Sequence, residues 1–173
     1  MTVLLEDTRQ QGSGASDKHA TKHECWAAAG VEVVRSKLAW GDYCLPPAIS
    51  VDTKRSIAEM AQNIDQQHER FRREMVGARD AGVQLVVLVE NEDGVDSLAA
   101  LARWQESDAQ FAKRKNAQRR LDGMRLAKAC ATMQDRYGVR FEFCAPEDAA
   151  RRVVEILTEG GGGGGQDDGR RGS

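Results

Sequence analysis

Asp42, Asp52 and Lys54 lie within the run GDYCLPPAISVDTK at residues 41–54, and together they are able to do phosphoryl chemistry. Two neighbouring carboxylates repel unless a cation sits between them, and a hard, oxygen-seeking divalent ion such as Mg²⁺ suits that position. A lysine beside them supplies a point charge for a phosphate or for the attacking water. That is the equipment of a metal-dependent phosphodiesterase. The elements that must position these residues are the apolar or alternating segments 40–45 and 49–54, separated by Pro46 and Pro47. They read as two strands and a turn. With the turn centred near Pro47, antiparallel pairing puts Asp42 opposite Asp52, and the strand period of two puts Lys54 on the face of Asp52. The alternative is a solvated hairpin face on which Asp52 and Lys54 merely neutralise each other.

The rest of the chain supplies a sheet and helices around that hairpin. Residues 3–6 read as a first strand and polar 10–18 as a loop. A helix follows over 20–29, terminated by Gly30, then a second strand over 31–38. Ile57, Met60, Ala61 and Ile64 fall at helical spacing in a helix over 56–63, and a second helix over 67–81 ends at Gly82. The apolar run 83–89 has the character of a central strand buried on both faces. Further helices are expected over 97–104, 121–137 and 147–157, with a last strand over 139–143. The expected architecture is a single α/β domain, a central mixed β-sheet flanked by helices, over residues 1–158. Residues 159–173 form a flexible glycine-rich tail.

Other candidates follow from position and charge. Asp7 and Glu90 both end predicted central strands, where ligands gather in open α/β sheets, although either residue is equally suited to capping a turn. Arg9 and Arg70 are candidate phosphate contacts, with a surface ion pair as the competing role for Arg70. Residues 110–120 carry Lys113, Arg114, Lys115, Arg119 and Arg120 with few large apolar side chains. They read as a mobile basic loop that meets a phosphate backbone, or as a merely solvated one. His68 reads as solvent-facing. His19 and His23 stand one helical turn apart but lack the glutamate that would complete a zinc motif.

Composition sets limits. With 173 residues, 40% hydrophobic, the chain is expected to bury one ordinary core, and its net charge of −2 leaves nucleic-acid binding to local patches. Cys25, Cys44, Cys130 and Cys144 show neither C-x-x-C spacing nor partner histidines, so they read as reduced and mostly buried. No apolar stretch approaches membrane-spanning length and no signal peptide is evident, so a soluble, intracellular protein is expected.

The segment 41–54 resembles the nuclease signature of the XPF-type structure-specific endonucleases, within the PD-(D/E)XK superfamily. That signature is a G-D pair, a spacer, then E-R-K, matched here by Gly41-Asp42 and Asp52-Thr53-Lys54. Residues 4–9, LLEDTR, resemble the family's opening strand ending in D-x-R, and 55–60 resemble its following helix start. Arg70, Phe71 and Glu74 match the R-F-x-x-E pattern of short phage- and bacterial-type members, and VVLVE at 86–90 resembles its next strand. Three positions depart from the pattern: Asp52 replaces the usual glutamate, Thr53 replaces an arginine, and the acidic Glu59 stands one place late.

The resemblance implies a restriction-endonuclease-like fold and a Mg²⁺-dependent DNA endonuclease for which Mn²⁺ substitutes. Asp42, Asp52 and Lys54 would be catalytic, and Asp42, Asp52 and Asp7 would hold the metal. Arg9, Arg70, Lys113, Arg114 and Lys115 would contact DNA. The expected substrate is branched or otherwise structured DNA, in repair or recombination. With no helix-hairpin-helix repeat after the core, specificity would come from the nuclease face itself, from a homodimer or from a protein partner. Two alternatives stand beside it, a non-catalytic DNA-binding or scaffolding relative and a restriction- or resolvase-like nuclease.

Overall fold

From Leu85 to Glu90 every side chain is buried, as the uninterrupted apolar run requires of a strand covered on both faces. In the computed structural model, which describes residues 2–9, 20–45 and 49–159, this strand lies between two parallel neighbours. The expected loop at 10–18, His19, the Pro46-Pro47 turn and the glycine-rich stretch from 160 onward lie outside the described residues.

The strands are β1 Thr2–Asp7, β2 Val31–Ser36, β3 Tyr43–Leu45, β4 Ile49–Lys54, β5 Gln84–Glu90 and β6 Arg140–Cys144. They form one mixed sheet in the order β2-β1-β3-β4-β5-β6, with β3 antiparallel to both neighbours and the other pairs parallel. The helices are α1 Ala20–Ala28, α2 Ile57–Asp65, α3 His68–Asp80, α4 Leu98–Arg103, α5 Asp108–Lys113, α6 Gly123–Tyr137 and α7 Ala149–Glu159. They cover both faces, so the expected single α/β domain with a flanked mixed sheet is the observed one.

The period of two divides β5 between two cores. Val87 and Val89 join Ile57, Met60, Phe71 and Leu126 beneath α2, α3 and α6. Val86 and Leu88 join Leu4, Val51, Trp26 and Ile156 beneath α1 and α7. Burying each such Val, Leu, Ile or Phe side chain contributes about 1.5–3 kcal/mol. Trp26 is fully buried, stacks edge-on against Tyr43 at 5.1 Å and donates from Nε1 to Ala150 O at 2.7 Å, tying α1 to α7.

Caps set the helix ends where the sequence placed them to within a residue or two. Ser56, Ser97 and Asp122 each accept the third backbone N–H of the helix that follows, and Gly138 closes α6 at φ 69°. Glu59, the acidic residue that stands one place late in the family pattern, accepts from Arg55 N at 2.9 Å and so belongs to the cap of α2.

Four expectations need correction. The second strand stops at Ser36 instead of running to 38. Residues 110–120 are not simply a mobile loop, because a Ser107/Gln110 capping box starts α5 at Asp108. A short 3₁₀ turn over Pro146–Asp148 precedes α7, which begins later than predicted. The cysteines are free, but only Cys130 is fully buried, and Cys25 is exposed on α1.

Candidate active site

The hairpin register pairs Tyr43 with Val51, Cys44 with Ser50 and Leu45 with Ile49. Continued by one residue, it sets Asp42 across from Asp52, as the turn near Pro47 predicts. The ladder stops short of that pair, and Asp42 N donates to Val51 O at 2.8 Å instead. Asp42 O accepts from Asp7 N at 2.8 Å, which brings the end of β1 against the same point. Gly41 makes this turn at φ 69°, and a Cβ there would lie 2.5 Å from Ser50 Oγ and 3.0 Å from Val51 O. Only glycine meets both demands.

On β4, Asp52 and Lys54 pair in register with Val87 and Val89 and so share their face of the sheet. Both are buried, at 5% and 6% exposure, and Asp52 Oδ2 lies 2.6 Å from Lys54 Nζ. The Lys54 ammonium is its close partner, and no other donor among the described residues reaches Asp52 Oδ2. Burial raises the Asp52 carboxyl. Lys54 opposes the rise, the negative charges of Asp42 and Glu74 add to it, and the result is a pKa of about 7. Burial lowers the Lys54 ammonium, but the Asp52 charge and hydrogen bond together with the charges of Asp42 and Glu74 outweigh it, and the net shift is upward. Lys54 Nζ also sits 5.9 Å from the centre of the Phe71 ring on α3.

Thr53, which stands where the family pattern has arginine, takes a different role. Its N–H and its hydroxyl both donate to Asp42 Oδ2 at 3.0 Å, fixing that carboxylate. No donor among the described residues reaches Asp42 Oδ1.

The remaining candidates separate. Asp7 ends β1 with its carboxylate taken up by Arg9, which donates from N at 2.8 Å, from Nε at 2.7 Å and from Nη2. Burial pushes the Asp7 carboxyl up, but the Arg9 bonds outweigh it and hold it below its usual value. Arg9 also donates to Leu38 O at 3.1 Å, so much of its fork is spent inside the protein. Glu90 follows Val86 and Leu88 onto the opposite face, where its Oε1 accepts from Lys22 at 2.5 Å. The sheet therefore separates it from Asp52. Arg70 is exposed and donates to Asn63 Oδ1 at 3.3 Å. His68 is exposed, and His23 contacts Glu6 at 2.9 Å.

The basic segment is anchored at Arg114, which grips buried Glu106 with Nε at 2.5 Å and Nη2 at 2.9 Å. Lys113 and Lys115 are exposed and have no ion-pair partner among the described residues. Arg114 and Lys115 line a cleft of about 600 Å³ together with Arg55, Glu59, Gln62 and Asp65. Arg55 directly follows Lys54, so the cleft begins at the edge of the site.

In the sequence Glu74 stands out only as part of the R-F-x-x-E pattern. In the fold its Oε1 accepts from Gly41 N at 3.1 Å, and its charge reaches Asp52 and Lys54. The available signal was helical spacing, since Glu74 follows Phe71 by three residues and shares its face of α3. Gly77, three further on, lies under Trp40, where an added Cβ would sit 2.3 Å from Trp40 Cη2. Gly77→Ala is expected to displace Trp40 and to destabilise the protein by about 1–3 kcal/mol. Chemical denaturation with Trp fluorescence checks this, and an unchanged midpoint and spectrum would show that the ring relaxes without cost.

No three His, Cys, Asp or Glu side chains among the described residues converge closely enough to hold a metal by themselves. The oxygens present do fit a hard divalent cation, since Asp52 Oδ2 faces only the Lys54 ammonium and no donor among the described residues reaches Asp42 Oδ1. Mg²⁺ commonly takes one or two carboxylates and completes its shell with waters and substrate phosphate. No helix among the described residues is long and apolar enough to cross a membrane.

A mixed sheet between two helical layers, with a carboxylate and lysine at the end of a hairpin strand, defines a restriction-endonuclease-like domain. Its fold is that of an XPF-type nuclease domain. The chain superposes on XPF from Aeropyrum pernix with a TM-score of 0.60 at 18% identity, over 92% of this chain and 65% of that one. On XPF from Aeropyrum pernix in complex with DNA, the TM-score is 0.61 at 16% identity, over 93% and 65% of the respective chains. The chain thus spans 65% of the length of either structure. No protein-family model matches the sequence, and no curated protein matches it.

Proposed function

We propose that this protein is a metal-dependent DNA endonuclease that hydrolyses phosphodiester bonds in branched or otherwise structured DNA, with Mg²⁺ as its cofactor and Mn²⁺ as a substitute. The observation that carries this reading is the buried Asp52–Lys54 ion pair beside Asp42, whose Oδ1 meets no donor among the described residues. A divalent ion there would supply Lewis-acid charge to the phosphoryl oxygens. Asp42 and Asp52 would hold it, and Thr53 keeps Asp42 aimed. Lys54 meets the negative charge that develops on the phosphoryl group, with the stem fixed and no reorganisation needed at the moment of reaction. Asp7, its carboxylate engaged by Arg9, contributes by placing Asp42 through its backbone N–H.

The DNA path runs along the cleft that begins at Arg55. Exposed Lys115 lines it with Arg55 and Arg114, three cations suited to a phosphate backbone beside the carboxylates of Glu59 and Asp65. Arg114 shapes the cleft through Glu106, while exposed Arg70 and the outer edge of Arg9 offer further phosphate contacts. A second copy of the chain or a partner protein supplies the remaining grip. The solved XPF complex with DNA supports this choice of polymer.

The test is cleavage of end-labelled flap, fork, four-way junction and linear duplex DNA in Mg²⁺, Mn²⁺, Ca²⁺ or chelator. Cutting in Mg²⁺ or Mn²⁺ and none in chelator is the expected result, with Ca²⁺ binding but not supporting turnover. A second reading, a DNA-binding scaffold without activity, draws on the departures from the nuclease signature at Asp52 and Thr53. Binding to the same DNAs with no cutting under any metal would select it. Cutting of linear duplex alone would select a restriction-like nuclease.

A further inference from the structure

Helix α3 meets the hairpin at three places spaced three residues apart, Phe71 under Lys54 Nζ, Glu74 at Gly41 and Gly77 under Trp40. Three successive positions of this kind form one helix face, so a single rigid element touches both the lysine strand and the turn that carries Asp42. Within that turn the sheet satisfies Asp42 on both sides, through Val51 O and Asp7 N. Ser50 Oγ bridges to Trp40 O at 2.5 Å and Tyr43 O at 3.1 Å, closing the turn from within. The Gly41 N–H is different. Its partner is a carboxylate delivered from another element, at 3.1 Å.

We propose that Glu74 is a positioning residue, which fixes Asp42 opposite Asp52 by holding the Gly41 N–H; the role rests on the nuclease reading of this site. Gly41 sits at φ 69° in a space too small for a Cβ, so its peptide has little freedom except rotation about its own bonds. The bond from Glu74 removes that freedom. A charge-assisted acceptor of this kind is stronger than a neutral one, and the neutral amide of glutamine keeps the acceptor while removing the charge. Position and charge are therefore separable by substitution.

The experiment measures Gly41 amide hydrogen exchange by NMR, together with single-turnover DNA cleavage and DNA affinity, in the full chain and in Glu74→Ala and Glu74→Gln. Glu74→Ala is expected to speed Gly41 exchange and to slow cleavage, each by about 10- to 100-fold, the weight of one hydrogen bond to a charged group. DNA affinity stays unchanged. Glu74→Gln is expected to stay within about threefold of the parent in both. Unchanged Gly41 exchange in Glu74→Ala would overturn the proposal. So would a Glu74→Gln variant that cuts as slowly as Glu74→Ala while Gly41 remains protected, since Glu74 would then act through its charge. A parent protein that cuts no DNA would sink the nuclease reading, while the Gly41 exchange pattern would still decide whether Glu74 holds that peptide.

Discussion

Asp42→Ala and Asp52→Ala each lower Mg²⁺-supported cleavage of structured DNA by at least about 10²–10³-fold, while DNA affinity changes little. That is the loss expected when one preorganised electrostatic group is taken from a reaction centre. The two substitutions reach the same outcome by different routes. Asp42 is half-buried and held by Thr53, so Asp42→Ala removes a ligand and leaves the Thr53 hydroxyl free to find water. Asp52 is buried against Lys54, so Asp52→Ala leaves an unpaired ammonium below the surface and costs stability as well. Asp52→Asn separates lost volume from lost charge, because the amide retains the volume and loses the charge. Single-turnover cleavage of all three variants, with DNA affinity measured in parallel, checks this. Full activity in either alanine variant would place the chemistry elsewhere.

Lys54→Met removes the only cation among the described residues in contact with Asp52, and its cost to folding depends on pH. The Asp52 carboxyl is raised from 3.8 to about 7 in the folded protein, chiefly by burial. Between about pH 4 and 7 the folded chain therefore holds a proton that the unfolded chain has released. The stability this gives is present at low pH and lost as pH rises through about 7. In Lys54→Met, Asp52 carries its proton at pH 5.5 and sits in its pocket as a neutral acid. At pH 8.5 it must either stay ionised without a partner or take up a proton against the solution. Breaking a buried pair in this way costs about 3 kcal/mol at the alkaline end and much less at the acidic end. Thermal melts of parent and variant at the two pH values check the sign, and equal losses at both would show that the pair contributes nothing through charge. Cleavage by the variant falls by about 10²–10³-fold whatever its stability, because no other cation faces the phosphoryl position from β4.

The strands and helices were legible because each depends on nearby residues. The β5 run fixed a central strand, Ser56, Ser97 and Asp122 marked helix starts, and the glycines marked the ends. The start of α5 was equally readable as Ser107 followed by Gln110. The density of basic residues after it obscured that signal, since charge suggests solvation while capping suggests order. In the site, the hairpin register and the shared face of Asp52 and Lys54 followed from strand period and turn position alone.

What spacing within one element dictates, the sequence determined by itself: two aspartates and a lysine brought to one end of a hairpin, inside an α/β domain with a mixed sheet. Partnerships between elements were decided by the tertiary structure. Asp7 and Glu90 end strands in similar fashion, yet one touches the Asp42 turn and the other pairs with Lys22 across the sheet. That outcome depends on strand order and on the parity of each strand relative to its neighbours. Arg9 and Arg114, alike as free cations in sequence, are drawn inward by Asp7 and Glu106. Glu74 arrives at Gly41 only because α3 packs its Phe71 face over β4. Local periodicity says which side chains leave an element together, whereas the packing of the two hydrophobic cores decides what they meet.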